Sequence, residues 1–172
     1  MELLLYPFVL LAAIGLVLSF IVHVMALLGL PAPFGQATFS LHVGILIVWI
    51  PTILVGMKMT KDFKRKDFWK AMLRGCPNWM KYMTYGLFIY AAINFIIFFY
   101  LAPPKCRPFD PQEYPTVFCG FSGHWMAFYS AEMASLYSAI KVIKLDPLRR
   151  CPDGHPVSPS AKYCDECGRE IV

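Results

Sequence analysis

Four long runs of apolar residues dominate this chain, and they leave it few ways to fold. A helix that crosses a ~30 Å hydrocarbon core needs about 20 mostly apolar residues, because each residue adds ~1.5 Å. Leu3 to Leu30 meets that length without a charge, and so do Thr38 to Met57 and Tyr82 to Leu101. A fourth run, Phe121 to Ile143, contains Glu132 and Lys141 among mostly apolar or small residues. Lipid offers backbone groups no partner, so runs of this kind must be helices that bond internally. The first run lacks a basic n-region, exceeds the usual ~7–15 apolar residues of a leader and meets no small-x-small cleavage site, so it reads as a retained span. The expected architecture is an all-α integral membrane protein. A four-transmembrane-helix bundle occupies residues 1–147, with spans at about 3–30, 38–57, 82–101 and 121–143, and a small tail occupies 148–172.

The distribution of charge orients the bundle. Hydrophobic residues make up 58% of the chain and charged residues only 16%, against about 25% charged in a soluble domain. Between spans two and three lie Lys58, Lys61, Lys64, Arg65, Lys66, Lys70, Arg74 and Lys81, and Lys141, Lys144, Arg149, Arg150, Lys162 and Arg169 follow on the same side. The opposite side carries only Lys105 and Arg107. Lys and Arg concentrate in cytosolic loops, so both termini are expected in the cytosol, with a bacterial inner membrane as the natural setting. Topology accounts for the net charge of +5, and no nucleic-acid partner is needed to explain it.

Within the basic loop, Phe68, Trp69, Met72 and Leu73 recur at helical spacing opposite Lys66, Lys70 and Arg74, the pattern of a short helix lying on an anionic membrane surface. The outer loop, Ala102 to Gly120, holds five prolines and reads as irregular. It also holds Cys106 and Cys119. In an oxidising compartment these would form a disulfide, closing a loop of ~14 residues and stabilising by ~3 kcal/mol.

The tail changes composition abruptly. It reads Cys151-Pro-Asp-Gly-His155, eight residues, then Cys164-Asp-Glu-Cys167-Gly168. Two tight turns that each offer two ligands can surround a zinc ion tetrahedrally, and Gly154 and Gly168 suit those turns. Some 22 residues cannot bury an apolar core, and a reducing cytosol favours metal over disulfide, so metal is expected to hold the tail together. This segment resembles the short zinc ribbons of many bacterial proteins, in which two Cys-x2-Cys-Gly-like knuckles share one zinc. The resemblance covers Arg150 to Val172 only. The second knuckle matches, whereas the first places His155 one residue later than the usual second cysteine. It implies a structural or protein-docking zinc held by Cys151, His155, Cys164 and Cys167.

Polar residues inside spans are costly and carry a functional hypothesis by default. His23 lies ~10 Å below the outer surface, His42 about four residues deep and His124 about three, so three helices place a histidine in the outer half of the bundle. His23 shares a stripe with Ala12, Gly15, Ser19 and Ala26, and His124 runs beside a seam of Gly123, Ala127, Ala131, Ser135 and Ala139, small residues that let helices approach closely. Tyr90 and Asn94 share a stripe of span three, and Glu132 lies roughly 12 Å below His124. One reading is haem b held by imidazoles from facing helices. A second is another histidine-bound cofactor or a quinone and proton site. The third is that the histidines hydrogen-bond Asn94, Tyr90, Ser19 or a carbonyl and set helix register.

No Cys-x-x-Cys-His, His-Glu-x-x-His, nucleophile–base motif or glycine-rich phosphate loop occurs, so neither a hydrolase nor an NTPase is expected. The chain reads as an accessory or anchor subunit that docks other membrane-complex subunits through its bundle and its zinc ribbon, rather than as an enzyme. The alternative is an electron-transfer subunit, quinone-linked and carrying haem b or another histidine-bound cofactor.

Overall fold

The computed structural model describes residues 3–61, 63, 65–101, 115–145, 151–153, 155, 162–164 and 166–171. Its elements are all helical: α1 (Tyr6–Leu27), α2 (Ser40–Thr60), a short α3 (Phe68–Met72), α4 (Asn78–Leu101) and α5 (Pro115–Leu145), with 3-10 turns at Leu3–Leu5, Gly35–Phe39 and Arg65–Asp67. Three segments are long and apolar enough to cross a membrane: Leu3–Leu27, Ala37–Thr60 and Asn78–Tyr100. They coincide with the first three expected spans. Their outward faces carry Leu10, Val17, Phe20, Ile50, Leu54, Ile89, Ile96 and Phe99, all exposed, as lipid-facing side chains should be.

The fourth long helix differs in kind. α1, α2 and α4 all pack on α5, and α5 is buried nearly all round, from Ser122 through Ile140. A helix enclosed by other helices needs no lipid-compatible surface. It can carry serines and small residues that bring its neighbours close, and for that reason its composition falls below the other three. The small-residue seam of Gly123, Ala127, Ala131, Ser135 and Ala139 is buried along its length. The stripe of Ala12, Gly15, Ser19, His23 and Ala26 on α1 is buried as well.

Helix ends follow local chemistry. Gly29, at φ +70°, closes α1 in a Schellman turn: its own N–H donates to the Ala26 carbonyl and that of Leu30 to the Met25 carbonyl. α5 starts at Pro115, six residues before the expected span and inside the segment read as irregular. Proline at the first helical position lacks only an N–H that would have no intrahelical partner, and its fixed φ suits the helix, so a proline-rich approach ends here in a helix start. The pairing of Cys106 with Cys119 lies outside the described residues. Cys76, Cys151, Cys164 and Cys167 are free thiols.

The basic loop folds back onto the bundle. Met72 and Leu73 are buried, and Met72 lies against Gly56 of α2. The Gly75 N–H donates to Ser138 Oγ over 2.9 Å, and the Cys76 thiol donates to the Ala134 carbonyl over 3.0 Å. A side chain at Gly75 would meet the Ser138 carbonyl at 2.5 Å, so only glycine permits this approach. Burial pushes the Cys76 thiol up to about 11, which marks it as a packing group rather than a nucleophile. Lys66, Lys70 and Arg74 stay exposed, the last with its guanidinium 5.3 Å from the centre of the Phe63 ring.

Candidate metal centre and the membrane histidines

In the tail, one ligand atom each from Cys151, His155, Cys164 and Cys167 lies within 4.8 Å of all the others. The second knuckle is a small hairpin. The Cys164 N–H donates to the Arg169 carbonyl, Gly168 to the Cys164 carbonyl and Ile171 to the Lys162 carbonyl, each over 2.8 Å. Gly168 supplies the left-handed turn at φ +71°. The first knuckle closes with the Cys151 N–H donating to the His155 carbonyl over 2.9 Å. Gly154 lies outside the described residues.

The donor spacing fits a tetrahedral ion. Cys151 Sγ stands 3.5 Å from His155 Nδ1 and 3.6 Å from Cys167 Sγ, and Cys164 Sγ stands 3.8 Å from His155 Nδ1. Metal bonds of ~2.0–2.3 Å at tetrahedral angles give ligand–ligand edges of roughly 3.4–3.8 Å. Backbone N–H groups of Cys167 and Glu166 help draw the Cys164 thiol down to about 7. At Cys167 the backbone N–H of Arg169 also pulls downward, but desolvation and the neighbouring Cys164 and Cys151 sulfurs outweigh it and carry the thiol up to about 12. Sulfurs this close cannot all be anionic unless a cation lies among them, so the cluster can hold a metal ion. The second knuckle also supplies Glu166, whose Oε2 lies 3.6 Å from His155 Nε2. A carboxylate there orients the ring so that Nδ1 faces the sulfurs. Arg169 and Asp153 bridge the knuckles at 3.1 Å, an exposed pair worth little by itself. The Cys-x3-His and Cys-x2-Cys spacing signalled the four donors. Only the folded turns show Glu166.

The three membrane histidines do not act alike. His23 is 2% exposed and has both ring nitrogens engaged: Nδ1 with Ser122 Oγ at 2.8 Å and Nε2 with Tyr90 Oη at 2.5 Å. Its ring meets that of Tyr90 edge-on, with centroids 5.4 Å apart. Asn94 packs beside it, its Oδ1 3.0 Å from where a side chain on Gly123 would begin. The cluster ties α1, α4 and α5 together. His42 accepts from Trp125 Nε1 at its Nδ1 over 3.1 Å, which leaves the proton of the neutral ring on Nε2. His124 is exposed, with its ring centre 4.4 Å from that of Phe128 of its own helix and inclined to it by 43°.

Haem b finds no support in this arrangement, because iron ligation needs a free imidazole nitrogen and His23 has given both to hydroxyls. Among the described residues, the tail is the place where three or more His, Cys, Asp or Glu donors converge. Depth matching placed the three histidines at similar heights but carried no information about azimuth, and His42 and His124 lie on the exposed side of the bundle. Tyr90 was visible in the sequence beside Asn94. Ser122 was not, since a serine two residues before His124 has no distinguishing pattern. Replacing His23 by leucine should remove the imidazole's two hydrogen bonds to the hydroxyls and cost about 1–2 kcal/mol. Unfolding in mixed micelles by SDS titration measures that loss, and an unchanged midpoint would count against the anchor role.

Glu132 lies apart from the histidines. It is 2% exposed, and among the described residues neither carboxylate oxygen has a hydrogen-bond partner. No protein family, curated protein or solved structure matches this chain.

Proposed function

We propose that this chain is a small integral membrane accessory subunit in which α5 is the enclosed fourth span and the tail is a structural zinc knuckle that docks a cytosolic partner. The observation that carries the reading is the closed set of four donors at Cys151, His155, Cys164 and Cys167. Three thiolates and an imidazole at tetrahedral spacing favour zinc, and four protein ligands leave no open position for catalysis, so the site serves structure and recognition.

The length of α5 supports the fourth span. Its 31 residues reach about 46 Å, enough for the ~40–45 Å of a bilayer with its headgroups. Its low hydropathy follows from enclosure by the other three helices. Four spans put both termini on one face, and the excess of Lys and Arg assigns that face to the cytosol. A cysteine placed at Lys64 should accordingly react with a membrane-impermeant maleimide only after cells are opened. Labelling from outside intact cells would reverse the orientation.

The docking role is tested with the full-length protein extracted in mild detergent. Wild type should contain one zinc per chain and migrate on native gels as part of a larger assembly. Cys164→Ser should lose the zinc and the assembly while still fractionating with membranes. Wild type without zinc, or a variant that keeps the same assembly, overturns the proposal.

A further inference from the structure

α2 and α4 each pack on α5, and α3 roofs the seam between them. Behind that seam lies a cavity of about 410 Å³, within the size range of small-molecule sites. Trp49 of α2, Phe68 and Trp69 of α3, Phe88 of α4 and Phe128 of α5 supply aromatic walls, and Glu132 of α5 lines the same space. The other polar side chains on the α2 wall have their donors engaged: Thr52 donates to the Val48 carbonyl and Thr60 to the Gly56 carbonyl. The cavity wall is therefore largely apolar and aromatic, with Ser135 and Glu132 as its remaining polar side chains, and among the described residues both Glu132 oxygens are buried without a hydrogen-bond partner.

We propose that this cavity binds a lipophilic monocation, an amine or quaternary ammonium group on an apolar body, with Glu132 as its counter-ion. The histidines and the zinc knuckle have no part in it. An ionised carboxylate in an apolar space is costly unless it is paired, and a cation from the ligand supplies the pair. Indole rings at Trp49 and Trp69 add the attraction of a cation to an aromatic face. The remaining rings match a hydrophobic body. An anion would meet Glu132 with repulsion, and a neutral apolar molecule would leave the carboxyl without a partner. The same ammonium chemistry exists in free amphiphilic amines and, beside a phosphate, in zwitterionic aminolipids such as phosphatidylethanolamine, and both have access to an opening between membrane helices.

The test is equilibrium binding of tritiated tetraphenylphosphonium to the full-length protein in lipid nanodiscs, with neutral triphenylphosphine as the uncharged comparison. Wild type should bind the cation saturably, one per chain, and should show no comparable site for the neutral compound. Glu132→Gln keeps the shape of the side chain and removes its charge, and should weaken cation binding ~10–100-fold, the range of a charge-assisted contact. Glu132→Asp should recover part of the loss. Trp69→Ala should weaken binding ~3–30-fold through the lost aromatic face, and it serves as the second variant should Glu132→Gln unfold. Repeating the titration in phosphatidylethanolamine and phosphatidylglycerol discs separates the sources. Weaker binding in the former assigns the site to the lipid headgroup, and equal binding assigns it to free amphiphiles; both support a cation site. Equal binding by wild type and a folded Glu132→Gln, or equal binding of the neutral compound, overturns it.

Discussion

Stripping the zinc proposed for the tail should unfold the tail and leave the helices in place. Zinc contributes roughly 10–16 kcal/mol to folded knuckles of this kind, and little else in the segment could replace it. The described tail has a hairpin of three backbone hydrogen bonds, one closing bond in the first knuckle, one exposed ion pair and the His155–Glu166 contact at 3.6 Å. Of its side chains, Cys151 and Cys164 are the ones buried, and they are proposed ligands. Chelation or Cys164→Ser therefore removes what holds the segment together, whereas the helices bury their own backbone groups and do not depend on it. Limited proteolysis should cut treated protein between residues 150 and 172 while helicity by circular dichroism falls by only a few per cent. His155→Cys is the informative companion. It keeps four ligands and should retain zinc, while His155→Ala should bind it more weakly. A tail that resists protease equally with and without metal would show that packing alone sustains it.

The legibility of this fold varied with the kind of information each feature needed. Hydropathy is a property of consecutive residues, so α1, α2 and α4 could be read directly, and the small-residue stripes on α1 and α5 correctly marked the faces that pack. The Cys/His donor cluster was legible for a related reason: ligand spacing within two turns is local. The start of α5 at Pro115 was hidden because proline both breaks helices and begins them, and only the chain that follows decides which. The docking of Gly75 and Cys76 onto Ser138 and Ala134 was hidden because it joins residues some sixty positions apart. The cavity beside Glu132 was hidden more completely. It exists because α2 and α4 both choose α5 as a neighbour, and no stretch of sequence encodes a gap between two helices.

Replacing Gly15 by valine should destabilise the bundle more than any other single glycine substitution on its lipid-spanning helices, because Gly15 is the seat of Tyr129. That tyrosine is 2% exposed, and its hydroxyl donates to the Leu41 carbonyl over 2.6 Å. A Cβ at Gly15 would overlap the ring, and one at Gly44 would overlap the hydroxyl. α1, α2 and α5 thus meet around one aromatic side chain that two glycines admit. Overpacking costs ~1–3 kcal/mol, and expelling the hydroxyl from its carbonyl adds a buried group without a partner, another ~1–3 kcal/mol. Gly86→Val on α4 is the matched control, since among the described residues nothing lies within 4 Å of its Cβ position, and it should change little. Tyr129→Ala should cost ~3–5 kcal/mol by opening a cavity. Combined with Gly15→Val, however, it should cost less than the two single losses together, because the valine then grows into space the ring has left. SDS-titrated unfolding of the four variants measures the coupling. Strict additivity, or equal losses at Gly15 and Gly86, would mean that the ring is not held by the glycine seat.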